Sequence, residues 1–376
     1  MKKLIVLLLA AMMIVTCFTG CKSQEETTAE PETTTTVAPT TTEEVHTLPV
    51  VTVPEPTPEE TTEPEETLPE GMMYSYLTGE IVPVEIGTRR PVAFQIDNER
   101  LAMPQNGVAQ AEVVYEVPIE ANEVRMTAFF QDWGTVERIG PLRSCRRYHP
   151  SIVYEFDGIL FHNGHSDLAN EYLNDPHCDD LEGIANSGWP AIFQSSDHRP
   201  GHNDFSNPAK TDKRIEELGF RREIREDFEY KWKFAKADEP NPMVGGIDAN
   251  KVQIGFTQNY PWFEYNPEDG LYYRWAREVK HMDEDNNQQV AVKNIIVQYC
   301  GYNLEWDHST KNIWNLGRGE GVYISNGKAI DITWKKYEYW ANTYLYDMDG
   351  NELEINPGKT WYCIVLPKMT GEITIE

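Results

Sequence analysis

The chain has 376 residues, with 61 Asp+Glu against 33 Lys+Arg and a formal charge of −28. So acidic a chain is a poor match for nucleic-acid backbones, which select clustered Lys and Arg, and an anionic lipid surface repels it. Its 10 Trp and 19 Tyr supply material for a packed core and exclude a wholly disordered chain.

Residues 1–21 read as an address. Lys2 and Lys3 precede an apolar run from Leu4 to Val15, too short to span a bilayer and of signal-peptide length. Phe18-Thr19-Gly20-Cys21 places a cysteine, after two small residues, where a cleavage site belongs. This resembles a bacterial lipobox. It predicts lipidation of Cys21, palmitate-type acylation of the new amine, and anchoring on the extracytoplasmic face of the cell membrane. Several acyl chains hold a protein stably where one does not. Residues 22–73 are expected to form a disordered tether. From Lys22 to Glu70 it carries 15 Thr, 13 Glu and 8 Pro with a single Lys, a charge of −12. It has no apolar periodicity with which to offset its ordering entropy.

Residues 74–236 alternate strand-like and helix-like segments. Pro91–Asp97, Glu112–Ile119, Val124–Gln131 and Gly158–His162 are β-prone. Ser144–Phe156 has helical character. Ser166-Asp167 can cap a helix to Leu173, and Asn207-Pro208 opens one over Ala209–Leu218 that Gly219 stops. The pattern predicts an α/β or α+β domain. Residues 237–249, rich in Pro and Gly, read as a linker. Residues 250–376 are strand-rich. Trp262–Tyr265 and Leu271–Trp275 flank the hairpin signal Asn266-Pro267-Glu268-Asp269-Gly270. Ile295–Tyr299, Val322–Ile324, Ile330–Trp334, Tyr344–Tyr346, Leu353–Ile355 and Trp361–Leu366 follow, with turns at Ser325-Asn326-Gly327, Asp349-Gly350 and Pro357-Gly358. This predicts an all-β domain, sandwich- or barrel-like.

Several stretches line up with a known family. They include Val92–Asn98, Gln110–Glu116, Ile139–Arg146, Phe161–Ser166, Gly201-His202-Asn203, Gly317–Gly321 and Pro357–Trp361. The chain resembles the YerB-type bacterial lipoproteins, an envelope family with a two-part domain of unknown function (DUF3048 type). The resemblance covers nearly all of residues 75–375. It implies a lipid anchor and the same two-part layout, and brings no established activity. The chain departs from that pattern at Glu120–Arg125, His165 and Gly201.

Candidate chemistry concentrates in the first half. Arg143, Arg146 and Arg147 follow a Gly-Pro turn, with Arg125 as a natural fourth member. Guanidinium forks of this kind bind carboxylate or phosphate. The same arginines can instead pair internally with Asp97, Glu116 or Glu120. His162-x-x-His165 and His198-x3-His202 have spacings a metal could use, but no His-Glu-x-x-His motif is present, and the default is structural or ligand-contacting histidine. Cys145, Ser144 and Ser166 lie near histidines without a nucleophile elbow. Cys300 and Cys363 both end strand-like runs and could be neighbours, bridged or free. Aromatics such as Trp262, Trp275, Trp314 and Tyr339 either pack the β-rich core or offer platforms to sugar rings.

The leading expectation is a non-catalytic envelope protein. It binds an anionic small molecule, a cell-wall fragment or an envelope protein through Arg125, Arg143, Arg146, His162, Ser166, His202 and Asn203. Asp97, Asn98, Glu116 and Glu120 support that pocket. Two alternatives stand beside it: a hydrolase or transferase on glycan or phosphodiester bonds, and a scaffold in wall assembly using the β-rich half. No cofactor, resident metal or nucleic acid is expected. The membrane partner is reached through the lipid on Cys21.

Overall fold

The computed structural model describes residues 68–184 and 189–376. The expected signal peptide, Cys21 and almost all of the expected tether lie outside the described residues. Residues 72 and 73, expected in the tether, already belong to a strand: Met72–Tyr74 pairs antiparallel with Ile81–Pro83.

The first half contributes β1 (Val92–Ile96), β2 (Val113–Pro118), β3 (Val124–Phe130), α1 (His149–Tyr154), β4 (Ile159–His162), β5 (Asp180–Glu182) and α2 (Pro208–Leu218). The second half contributes β6 (Ile247–Asp248), β7 (Lys251–Gln253), β8 (Trp262–Asn266), β9 (Leu271–Ala276) and β10 (Asn294–Tyr299). Then come β11 (Gly301–Leu304), β12 (Lys311–Trp314), β13 (Gly317–Ser325), β14 (Lys328–Lys336), β15 (Tyr344–Tyr346) and β16 (Thr360–Val365).

Among the described residues an eleven-stranded mixed sheet runs β6-β14-β13-β10-β16-β2-β3-β1-β4-β5, with β15 on the far side of β14. It crosses the expected boundary between the halves. Strand β16 lies parallel to β10 on one side and to β2 on the other, pairing Trp361 with Ile295 and with Val114. The β-rich half therefore shares its main sheet with the first half, and a second, six-stranded sheet that includes β7, β8 and β9 packs on one face of it. Residues 66–376 group into one unit. The first half is strand-dominated, and its helices are short.

Strands buried on both faces read as continuous apolar runs, as Val92–Ile96 and Thr360–Val365 do. Alternation sorts their side chains into two cores. Val92, Phe94, Ile96, Trp361 and Cys363 pack with Phe263, Tyr272 and Ile215, so β8, β9 and α2 cover one face. Ala93, Tyr115, Tyr362 and Ile364 pack with Ile152, Val153 and Trp232, so α1 and the segment around 232 cover the other. The same alternation separates Cys363 from Cys300, which belong to opposite cores. All four body cysteines are free.

Local signals explain several elements. Asn207 caps α2 by accepting from the Lys210 amide at 2.9 Å, Pro208 occupies its first turn, and Gly219 ends it at φ +69°. Asn326 and Gly327 both take positive φ in the two-residue turn between β13 and β14. The helix expected over Ser144–Phe156 is confined to α1. Its first residues are extended instead, because the Arg143 and Cys145 amides donate to Gln95 and Gly164 oxygens at 2.9 Å each. Ser166 precedes a 3₁₀ turn, Asp167–Ala169, that runs on into a helical turn, Asn170–Leu173, as expected, but its hydroxyl makes no cap and is buried without a partner.

Glu112, just before β2, ties down the chain leaving β3 by accepting from the Gln131 and Asp132 amides. Burial pushes its carboxyl up to about 7, against those two hydrogen bonds. A carboxyl raised on folding contributes stability that is complete below its unfolded value of about 4.3 and lost as pH rises through 7. Glu112→Gln is expected to flatten the dependence of the urea midpoint on pH between 5 and 8. An unchanged slope would remove Glu112 from the account.

Candidate functional site

Strands β1, β2, β4 and β5 run in the same direction, so their C-terminal ends share one edge with the start of the antiparallel β3. Most of the expected site residues stand along this edge, in three neighbourhoods.

In the first, the fully buried Asp97 follows β1. Its Oδ2 accepts from Arg143 Nε and His202 Nδ1, both at 2.7 Å, and its Oδ1 from the Glu99 amide at 3.0 Å. Arg143 also reaches Glu99 at 3.3 Å. Burial raises the Asp97 carboxyl, but the Arg143 and Arg125 guanidiniums outweigh it and hold it below the usual carboxylate range. Asn203 stands on the adjoining loop, where its side-chain oxygen accepts from the Gly201 amide at 3.2 Å.

In the second, Arg146 grips both oxygens of Glu120, with contacts of 2.6 to 2.9 Å. The Glu120 carboxyl is lowered, Arg146 outweighing burial. Arg125 donates to the Ser144 carbonyl at 2.6 Å, while its buried Nε has no partner. Burial, together with repulsion from Arg146, pulls Arg125 down to about 10. The Arg146 amide donates to His149 Nδ1 at 2.7 Å, and burial with the nearby arginines keeps His149 neutral. Arg147 points away and pairs with Glu305 at 2.5 Å.

In the third, His162 donates to the Gly164 carbonyl at 2.8 Å and to Asp180 at 3.1 Å. Burial opposes its charge, but Cys145 and Asp180 outweigh burial and raise its pKa well above the ordinary histidine value. His165 meets Asn170 at 2.9 Å through Nε2, and its Nδ1 is buried without a partner. The four candidate metal-ligating histidines do not converge. His162 and His165 stand with Glu182, His202 with Asp97 and Glu99, and His198 with Asp197 and Glu284.

Two expected supporting residues lead inward. Asn98 donates to Glu116 Oε1 at 2.9 Å. Glu116, with no exposure, also accepts from Arg274 at 2.8 and 3.0 Å, Asn259 at 2.7 Å and the Trp361 indole at 2.9 Å. Arg274 donates onward to His281 Nδ1 at 2.7 Å, and His281 Nε2 donates to Gln105 at 2.8 Å. Gln105 closes the chain on the Asp97 carbonyl at 3.0 Å. Burial and Arg274 hold His281 well below its ordinary value, so the neutral ring accepts on one side and donates on the other. The sequence reading missed Arg274, His281, Gln105 and Trp361 here. Strict alternation in β9 was the available signal, since Tyr272, Arg274 and Ala276 face inward together.

Two open concavities lie away from that edge. The larger is a groove of about 820 Å³. One wall is residues 241–247 of the expected linker, the floor includes Ala329, Ile330 and Leu353, and Asp331, Asp347, Asp349, Glu352 and Glu354 stand along it with Lys233 as the lining cation. Lys233 is already paired with Glu354 at 2.5 Å. Val244, Ile247 and Met348 are 82%, 61% and 66% exposed at its lips. The smaller, about 340 Å³, lies between the β11–β12 hairpin and the stacked Tyr172–Tyr339 pair.

Comparison with known proteins defines the class. The N-terminal and C-terminal domain models of the protein of unknown function DUF3048 match residues 77–221 and 252–362, and the chain belongs to that family. It is 28% identical over 304 residues to a protein of Bacillus subtilis (strain 168) described as putative lipoprotein YerB, covering 77% of this chain and 85% of that one. The crystal structure of YerB from Bacillus subtilis superposes with a TM-score of 0.70 at 25% identity, over 81% of this chain and 99% of that one. Among the described residues no helix is long and apolar enough to cross a membrane.

Proposed function

We propose that this chain is a lipid-anchored envelope protein whose body binds a basic, apolar-anchored segment of another envelope protein in the acidic groove, without chemical turnover. The observation that carries this reading is the groove itself: exposed Val244, Ile247 and Met348 above five carboxylates, with its lining Lys233 already paired. Exposed apolar surface rimmed by charge marks a recognition site. The 22–70 segment, with 13 Glu and one Lys, is a poor occupant for so acidic a channel. The anchor rests on Lys2, Lys3 and Cys21 and on the likeness to a putative lipoprotein. Cys21→Ala is expected to abolish fatty-acid labelling and release the protein from the membrane fraction; retained labelling would place the anchor elsewhere.

The groove is tested by a photo-crosslinking amino acid at Met348 in the full chain, in its own cells. The expected result is one discrete adduct, whose crosslinked peptide is rich in Lys or Arg, and its loss in Asp331→Lys/Asp349→Lys/Glu352→Lys. No adduct, or one indifferent to the charge reversal, overturns the reading. A second reading, an anionic ligand at the strand-end edge, is favoured by one observation. Arg143 keeps 29% exposure beside Asp97 and His202, which are more deeply buried.

A further inference from the structure

The smaller cleft has features that the acidic groove lacks. Its lining includes Arg147, Tyr172, Asn312, Trp314, Asn315 and Tyr339. Trp314 sits at the end of β12 directly opposite Gly301 of β11. A Cβ at Gly301 would stand 2.3 Å from the indole, so the ring lies flat on the glycine and only glycine permits it. The indole N–H is satisfied by Asn303 at 2.8 Å, which fixes the ring's orientation. The side chain nevertheless keeps 55% exposure. A core tryptophan would bury that surface; this one is held rigid and left open.

Beside it, Asn315 is 8% exposed and Asn312 is half-buried, and both line the cleft. Both amides border the cleft, where a polar ligand or water can pair with them. The far wall is Tyr172 stacked on Tyr339 at 4.0 Å. Arg147 is not available to an anion. Its guanidinium already holds Glu305 at 2.5 Å and the Tyr172 hydroxyl at 2.7 Å.

An exposed rigid ring face, two amides at the cleft and a lining arginine that is already paired select a neutral, flat ligand that carries its own donors and acceptors. We infer that this cleft binds an N-acetylhexosamine chain, one sugar ring stacked on Trp314 and its acetamido group paired with Asn312 and Asn315. An acetamido group offers one N–H and one C=O, matching a primary amide's acceptor and donors. The cleft's volume falls at the low end of small-ligand sites, as suits a few sugar units. This inference does not depend on the occupant of the acidic groove.

The test titrates the full body, residues 68–376, with chitotetraose, following tryptophan fluorescence and calorimetric heat, with cellotetraose as comparator. Saturable binding of chitotetraose is expected. Trp314→Ala should weaken it by roughly tenfold or more, the size expected for losing one well-packed aromatic contact. Asn315→Asp, which keeps the shape and removes the amide donors, should weaken it too. The circular dichroism and urea midpoint of Trp314→Ala should match the parent, since Trp314 is exposed. Equal binding of cellotetraose overturns the N-acetyl assignment. No saturable binding of chitotetraose, or binding that Trp314→Ala leaves unchanged, overturns the site.

Discussion

Glu116→Gln is expected to lower the stability of the body by about 3–5 kcal/mol, the cost of leaving a buried charge without its partner. Arg274 has no exposure, and Glu116 is its paired carboxylate. The same carboxylate accepts from Trp361 of β16 and Asn259 of the second half, and from Asn98 of the first. Neutralising it would leave a guanidinium stranded among Phe263 and Trp361. The double variant Glu116→Leu/Arg274→Met is expected to recover most of the loss, because replacing both members of a buried pair by apolar groups is far cheaper than removing one. Urea unfolding of the three variants measures both effects. A single variant within about 1 kcal/mol of the parent would mean that water reaches Arg274 and that the network is not the clamp between the halves.

A second buried charge cluster should set the acid limit. Glu155 follows α1 and is 2% exposed. It accepts from Lys231 and Lys336, and from the Thr343 amide and hydroxyl at 2.9 Å each. Lys231 is enclosed by the rings of Tyr115, Phe156, Trp232 and Tyr362. Burial works against the Glu155 charge, but the two ammonium groups outweigh it and bring the carboxyl down to about 2. A carboxyl lowered on folding contributes stability that is present above its unfolded value, about 4.3, and lost as pH falls toward 2. The contribution is on the order of 3 kcal/mol. Glu155→Gln should therefore lower the urea midpoint at pH 7 and flatten its fall between pH 4.5 and 2.5. Glu112 acts with opposite sign in a higher window, so the two variants separate the acid and neutral limbs of the stability profile. A variant that keeps the parental acid limb would contradict the role given to Glu155.

What the sequence made legible was local. Asn207-Pro208 and Gly219 bound α2, and Asn326-Gly327 makes a hairpin, because the residues themselves carry the required backbone geometry. The pairings Arg143–Asp97 and Arg146–Glu120 were also within reach as the internal alternative to an open anion pocket. The sheet that joins the halves was not. Val113 pairs with Thr360 across most of the chain, and alternation along either strand says which faces are apolar but not which strand lies alongside. Arg274 hid for the same reason. Its alternation marked an inward residue, but only the tertiary fold brings Glu116 to meet it. The groove was invisible because its wall, residues 241–247, reads from composition alone as a linker.

The proposed recognition of a basic segment takes place in the groove between residues 241–247 and 347–354. Amide hydrogen exchange tests it most directly, using residues 68–376 with and without a basic amphipathic Leu/Lys peptide. Slowed exchange is expected, confined to residues 241–248, 329–331 and 345–354. That protection should weaken with added salt and vanish in Asp331→Lys/Asp349→Lys/Glu352→Lys. Protection along Asp97, Glu120 and Arg143 instead, or none in the groove at low salt, would contradict it.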